Sequence, residues 1–338
     1  MIEPLTNTKG LEHTTEEQIA RLAHLGVHDH GLARNLFPMQ KDLDLILDAL
    51  EQRQSIIMYT GVGPSGELHL GHAMVMRLIS DLQRIIPKLR FMLADDEKYL
   101  TRDLTIEQIQ GFKESNRSFL RRFGFDLRTI QFLSTTENLS TTYAAAIRVS
   151  RLITMNQIRS TFGRTTGSNI GEIFYPAIQI APCFFDADES SAPLILVICG
   201  LDQYPYFQLA RDLSDRLGFP KPAVLVGYPP LPSLIRRNEK MSSSVPSSAI
   251  FLTDSPSEIN QKITRAITTG GETRELHALY GGTPEACPVF RIFEAVTEQD
   301  DEALETRRIG CSNGTLSCRD CKNQLKVQVI EYITVLQG

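Results

Sequence analysis

Gly61-Val-Gly-Pro-Ser-Gly-Glu-Leu-His-Leu-Gly-His72 is the stretch on which the reading of this chain turns. Ahead of it, Ile56 to Tyr59 is a short apolar run of strand type. From Leu70 onward, Leu70, Ala73, Met74, Leu78, Leu82 and Ile85 recur at helical spacing. The stretch is therefore a strand-to-helix turn. Gly61, Gly63 and Gly66 let the backbone bend sharply and approach a ligand. A helix N-terminus brings free N–H groups and the positive end of a dipole, which suit a phosphate. His69 and His72 lie three apart on one turn, so both imidazoles can face one bound group. Alone, such a pair fits histidines that cap or pack. Placed after a strand and after Pro64-Ser65-Gly66, it favours a nucleotide site.

Working outward, Leu89 to Leu93, Ile130 to Leu133, Leu194 to Ile198 and Ala223 to Val226 are further short buried-type strands. Amphipathic stretches such as Ile106 to Phe123 separate them. This alternation predicts an α/β fold, a doubly wound and mostly parallel sheet, with ligands at the carboxyl ends of the strands. Residues 1–55 read as a helical leader, 56–254 as the nucleotide-binding domain, and 255–338 as a small all-helical domain. The helices expected there are Pro256 to Ile267, Pro288 to Val296, Asp300 to Arg308 and Leu316 to Leu336. A length of 338 residues suits two domains with an appendage. No apolar run reaches the roughly 20 residues of a membrane span, and Met1 to Gly10 lacks a secretory h-region. The net charge of −5 argues against wholesale nucleic-acid coating but leaves local basic patches open. Six scattered cysteines fit a reducing compartment.

A second stretch, Lys240-Met-Ser-Ser-Ser244, lies in a Ser-rich loop. A lysine on such a loop is a movable point charge for a polyphosphate, although alone it would read as a solvated linker residue. The pair of stretches resembles the signatures of class I aminoacyl-tRNA synthetases. Ala94-Asp-Asp-Glu-Lys-Tyr-Leu100, Tyr175-Pro-Ala-Ile-Gln-Ile-Ala-Pro182, Gly200-Leu-Asp-Gln-Tyr-Pro-Tyr-Phe207 and Ile250-Phe-Leu-Thr-Asp254 narrow the resemblance to the tryptophanyl-tRNA synthetase family, of the eukaryotic and archaeal type. It implies a Rossmann-type sheet domain, a helical anticodon-binding domain, ATP with Mg2+, tRNA as partner, a homodimer and a cytoplasmic location.

The resemblance assigns His69, His72 and Lys240 to catalysis. It assigns Gly61, Gly63, Ser65, Gly71, Asp202, Met241, Ser242 and Ser243, together with those three, to the nucleotide. Tyr59, Met92, Glu97, Gln179 and Gln203 fall to the amino acid, and no metal ligand is expected. The implied reaction is attack of a substrate carboxylate on the α-phosphorus of ATP, releasing pyrophosphate, followed by transfer to tRNA. A carboxylate is already ionised at neutral pH, so positioning and charge stabilisation carry the catalysis rather than a general base.

Three departures stand out. Met92 occupies the place of a Gln that reaches the indole nitrogen, and Val62 that of an arginine. Both ends are shorter than the family pattern, which leads to an expectation of weaker anticodon recognition. A paralogue that binds ATP or an aromatic amino acid without charging tRNA, or a ligase shifted to another aromatic amino acid, are the alternatives. Cys311, Cys318 and Cys321, with Cys287 upstream, read as part of a core stripe through Leu325, Val329 and Leu336 rather than a metal site. Lys113, Arg117 and Arg121 form a basic stripe, as do Arg148, Arg151 and Arg159. Each reads as a solvated face or a tRNA contact.

Overall fold

A computed structural model describes residues 10–134, 137, 139–185, 193–271 and 273–337. Seven strands form one sheet: β1 (Glu12–His13), β2 (Met39–Lys41), β3 (Ile56–Val62), β4 (Leu89–Leu93), β5 (Ile130–Ser134), β6 (Leu194–Gly200) and β7 (Ala223–Gly227). Their order is β1-β2-β7-β6-β3-β4-β5. The five strands from β7 to β5 pair in parallel, whereas β1 and β2 extend the β7 edge antiparallel. Residues of β4 and β7 are buried on both faces, as continuous apolar runs in a parallel sheet require. The leader, expected to be helical, supplies helices Glu16–His24 and Leu43–Glu51 but also β1 and β2. Segments of two and three residues are too short to show a period.

Chain order runs outward from β3 through β4 to β5, then returns to β6 on the other side of β3. The reversal leaves a crevice between the carboxyl ends of β3 and β6, the place where doubly wound sheets bind ligands. Gly61 lies at that end because its α-carbon is pressed against β4: an added Cβ would stand 2.5 Å from the Met92 carbonyl oxygen.

Beyond residue 254 the described elements are helical, beginning with Pro256–Arg265, which Ser255 and Glu258 start as a capping box. Arg274–Tyr280, Pro288–Ile292, a π-turn at Phe293–Thr297, Asp301–Ser312 and Cys318–Gln337 follow. Leu325, Val329, Ile333 and Leu336 form the buried stripe of the last helix and join the same apolar core as Leu22, Leu78 and Ile198. Arg34 donates to the carbonyls of Glu294 and Glu298 at 2.7 and 2.6 Å, tying leader to helical unit. No helix among the described residues is long and apolar enough to cross a membrane. Met1 to Lys9, most of the stretch read for a signal, lies outside the described residues.

Candidate active site

The crevice opens into a cavity of about 430 Å3. His69 is the N-cap of helix Leu70–Gln83. Its Nδ1 accepts the Gly71 N–H at 3.1 Å, while the Nδ1 of His72 accepts the His69 N–H at 3.2 Å. This reciprocal box orients both rings, whose centroids are 4.0 Å apart. With Nδ1 accepting, the proton of each neutral ring sits on Nε2. Burial, then the neighbouring His72 and Lys240, holds His69 well below the ordinary histidine value. Burial and Lys240 bring His72 down to about 4. At neutral pH the pair therefore offers two uncharged donors to the cavity, and positive charge has to come from elsewhere.

Lys240 supplies it. Its loop is fastened across the turn: the Ser243 hydroxyl donates to the Glu67 carbonyl at 3.1 Å, and Gly66 leaves no room for a Cβ, which would stand 2.8 Å from the Cβ of Ser243. Met241 is buried and donates its N–H to Leu231 at 2.9 Å. The Ser242 N–H is held by the Ser248 hydroxyl at 3.1 Å. Lys240 Nζ pairs with Asp202 at 3.0 Å, both groups half-exposed. Distant in sequence, the two signatures meet. Gly63, Ser65 and Gly71 line the same space, with the Ser65 N–H donating to the Gly63 carbonyl at 2.8 Å.

The other half of the cavity is apolar. Tyr59 is buried, with Phe207 edge-on at 5.7 Å. Its hydroxyl donates to the Gln179 carbonyl at 2.6 Å, and the Met92 thioether sulfur lies 3.1 Å away. The single phenolic proton is thus committed, which leaves oxygen lone pairs for an incoming donor. Gln179 Nε2 donates to Gln203 Oε1 at 2.8 Å. Glu97 accepts from the Thr101 hydroxyl at 3.1 Å and pairs with Lys98. A carboxylate and two linked amides therefore border an aromatic slot.

Lys98, Arg102, Tyr175 and Tyr206 line the cavity without having been singled out from the sequence. Tyr175 lies four residues before Gln179 on helix Ile170–Ile180, a spacing that places both on one face. Burial and Glu97 push the Tyr206 hydroxyl up to about 12. The Lys98 stem covers Gly63, where an added Cβ would meet its Cε at 2.0 Å. A cation thus stands beside Val62, where the resemblance led one to expect arginine.

One basic stripe is corrected. Lys113 is 1% exposed and is taken up by Asp95 at 3.4 Å, the Ser134 hydroxyl at 3.3 Å and Glu137. Arg117 lies over the Phe132 ring at 4.4 Å. Acidic partners from other elements turn the predicted face inward at Lys113.

A doubly wound sheet with capping histidines at its switch point and a lysine-serine loop closed over them defines the class I synthetase architecture. The family described as tRNA synthetases class I (W and Y) matches residues 51–334, and the chain belongs to it. It is 34% identical to a tryptophan–tRNA ligase of Pyrobaculum arsenaticum over 98% of this chain and 89% of that protein. It is 36% identical to the cytoplasmic tryptophan–tRNA ligase of Schizosaccharomyces pombe, covering 97% and 86%. The solved tryptophanyl-tRNA synthetase of Giardia lamblia superposes with a TM-score of 0.89 at 30% identity, covering 98% of this chain and 91% of that one.

Proposed function

We propose that this chain is an ATP-dependent tryptophan–tRNA ligase: it activates tryptophan as the aminoacyl-adenylate and transfers it to tRNA. The observation that carries this reading is one cavity with two chemically distinct halves. His69, His72, Lys240 and the turn glycines border one half, Tyr59, Gln179, Gln203 and Glu97 the other. An indole N–H is a donor only. Tyr59, its own proton spent on Gln179, is an acceptor for it. Glu97 suits the α-ammonium, and the junction of the halves sets the substrate carboxylate near the α-phosphate.

Mg2+ fits as an ion that arrives on the nucleotide. Around this cavity no three acidic, His or Cys side chains of the described residues form a metal cage. Magnesium on phosphates needs only one or two carboxylates, and Asp202 lines the nucleotide half. When bound, it neutralises phosphate charge. Lys240 leaves Asp202 for the phosphates, and the two imidazoles donate without changing protonation. The helical unit 255–338 is read as the anticodon-binding region, the sheet domain 56–254 as catalytic, with 1–55 as leader. A homodimer and a cytoplasmic setting complete the reading.

Met92 favours a second reading, a ligase shifted to another aromatic amino acid. Its sulfur, a weak acceptor, stands where the resemblance expects an amide. ATP–pyrophosphate exchange with tryptophan, tyrosine and phenylalanine in turn, followed by charging of a full tRNA pool, separates the two. Exchange specific to tryptophan with charging is expected. Exchange faster with tyrosine or phenylalanine supports the second reading, and exchange without charging removes the ligase.

A further inference from the structure

The four remaining cysteines of the helical unit converge. Cys287, Cys311, Cys318 and Cys321 border one small enclosed space of about 10 Å3, shared with Gly270 and Leu316. They arrive from three elements. Cys287 is the N-cap of helix Pro288–Ile292, Cys311 stands in the last turn of Asp301–Ser312, and Cys318 and Cys321 open Cys318–Gln337. At i and i+3, the last two face the same side. Cys321 packs against the same apolar core as Leu325, as the expected stripe requires, and also borders this space; Cys318 borders the space without joining that core. None of the four is in a disulfide.

We propose that these four thiols are the ligands of a structural metal centre, an all-sulfur set of the kind that takes zinc or an iron–sulfur cluster. Their convergence from three elements on one space carries this, and a buried neighbour, His277, adds to it. Its Nε2 donates to the Leu316 carbonyl at 2.9 Å, and its Nδ1 has no hydrogen-bond partner. That Nδ1 and the Cys318 sulfur both abut Gly270, whose added Cβ would stand 2.4 and 2.5 Å from them. An unpartnered acceptor beside a thiol is what a site completed by a guest leaves behind.

The sulfurs ring the space without closing on one point as the ligands of a single ion do. Zinc would draw them inward, and a cluster would hold each on a separate iron. Either way the centre would clamp the starts of two helices to the end of a third, and it shares no lining residue with the candidate active site.

The test is metal, inorganic sulfide and thiol analysis of the full chain purified under anaerobic conditions. Bound zinc at about one per chain, or iron with matching sulfide and a visible charge-transfer band, supports the proposal and identifies the metal. The double variant C318S/C321S should lose the metal and melt at a lower temperature, while C183S keeps both. Chain without metal whose four thiols all react with a thiol reagent overturns the proposal. So does a Cys318–Cys321 disulfide, or metal that persists in C318S/C321S. The result on the wild-type chain stands even if the variants fail to fold.

Discussion

The two halves of the cavity are built differently. On the nucleotide side, polar atoms are held by neighbours in sequence: His69 and His72 by the first turn of their own helix, Ser242 by Ser248. On the amino-acid side, the decisive contact joins Tyr59 to Gln179, 120 residues apart. In the first half local backbone geometry fixes the histidines, a long-range contact from Ser243 to Glu67 fixes the lysine loop, and on the proposed reading the half works by charge and donors. The second depends on tertiary packing and, on the proposed reading, works by a single oriented lone pair. The nucleotide half should therefore lose the most when one charge is removed, and the amino-acid half should answer to small changes at one hydroxyl.

The largest effect is expected at Lys240. It is the cation that the loop sets against the cavity, and only Asp202 pairs with it among the described residues. K240A should slow ATP–pyrophosphate exchange by about 10²–10³-fold, the range for deleting one preorganised stabilising group. Tryptophan affinity in the absence of ATP should be unchanged. A loss confined to KM for tryptophan would place Lys240 on the wrong half.

A second effect is on stability. His72 titrates at about 4 when folded and near the ordinary 6.5 when unfolded. The unfolded chain binds more protons between those values, so the contribution is full above pH about 6.5 and is lost as pH falls toward 4. From this residue, unfolding free energy should drop by about 2 kcal/mol between about pH 7.5 and 5. H72N, with an uncharged acceptor, should flatten that slope in urea titrations. An unaltered slope would mean that His72 is solvated and charged.

The same contrast explains what could be read from the sequence. Buried parallel strands are apolar runs, and the turn at Gly61 to His72 carries its signals within one helical turn, so the sheet and the histidine pair were legible. Lys240 gained meaning only by resemblance, because nothing local ties residue 243 to residue 67. Lys113 at i, i+4 spacing looked like a solvated stripe because its acids, Asp95 and Glu137, belong to other elements. For the same reason Cys318 blended into the stripe that Cys321 does join: the Cys287 and Cys311 that border the same space come from other elements. β1 and β2, and helix Arg274–Tyr280, were missed; the two strands are too short for a period to show.

On the amino-acid side, Y59F deletes the acceptor and strands the Gln179 carbonyl. Leaving such groups unpaired costs about 1–3 kcal/mol, or roughly 5–150-fold in tryptophan affinity. The chain contains no tryptophan, so indole fluorescence of the added ligand reports binding directly. Phenylalanine, which brings no donor, should be indifferent to the change. Equal losses for both amino acids would show that Tyr59 only shapes the slot.

The smallest effect separates the two readings of Met92. Had Tyr59 been a donor toward the ligand, the missing amide would leave the indole N–H unsatisfied, and restoring it would matter greatly. Because the Tyr59 proton goes to Gln179 at 2.6 Å, an acceptor is already present and Met92 is left to pack. M92Q therefore adds a second acceptor to a donor that needs only one. The gain should stay within about 0.5–1.5 kcal/mol, roughly 2–10-fold tighter tryptophan. A gain of 100-fold or more would mean that Tyr59 does not accept the indole proton. A loss of affinity, with better binding of tyrosine, would mean that the thioether has retuned the slot for another ring.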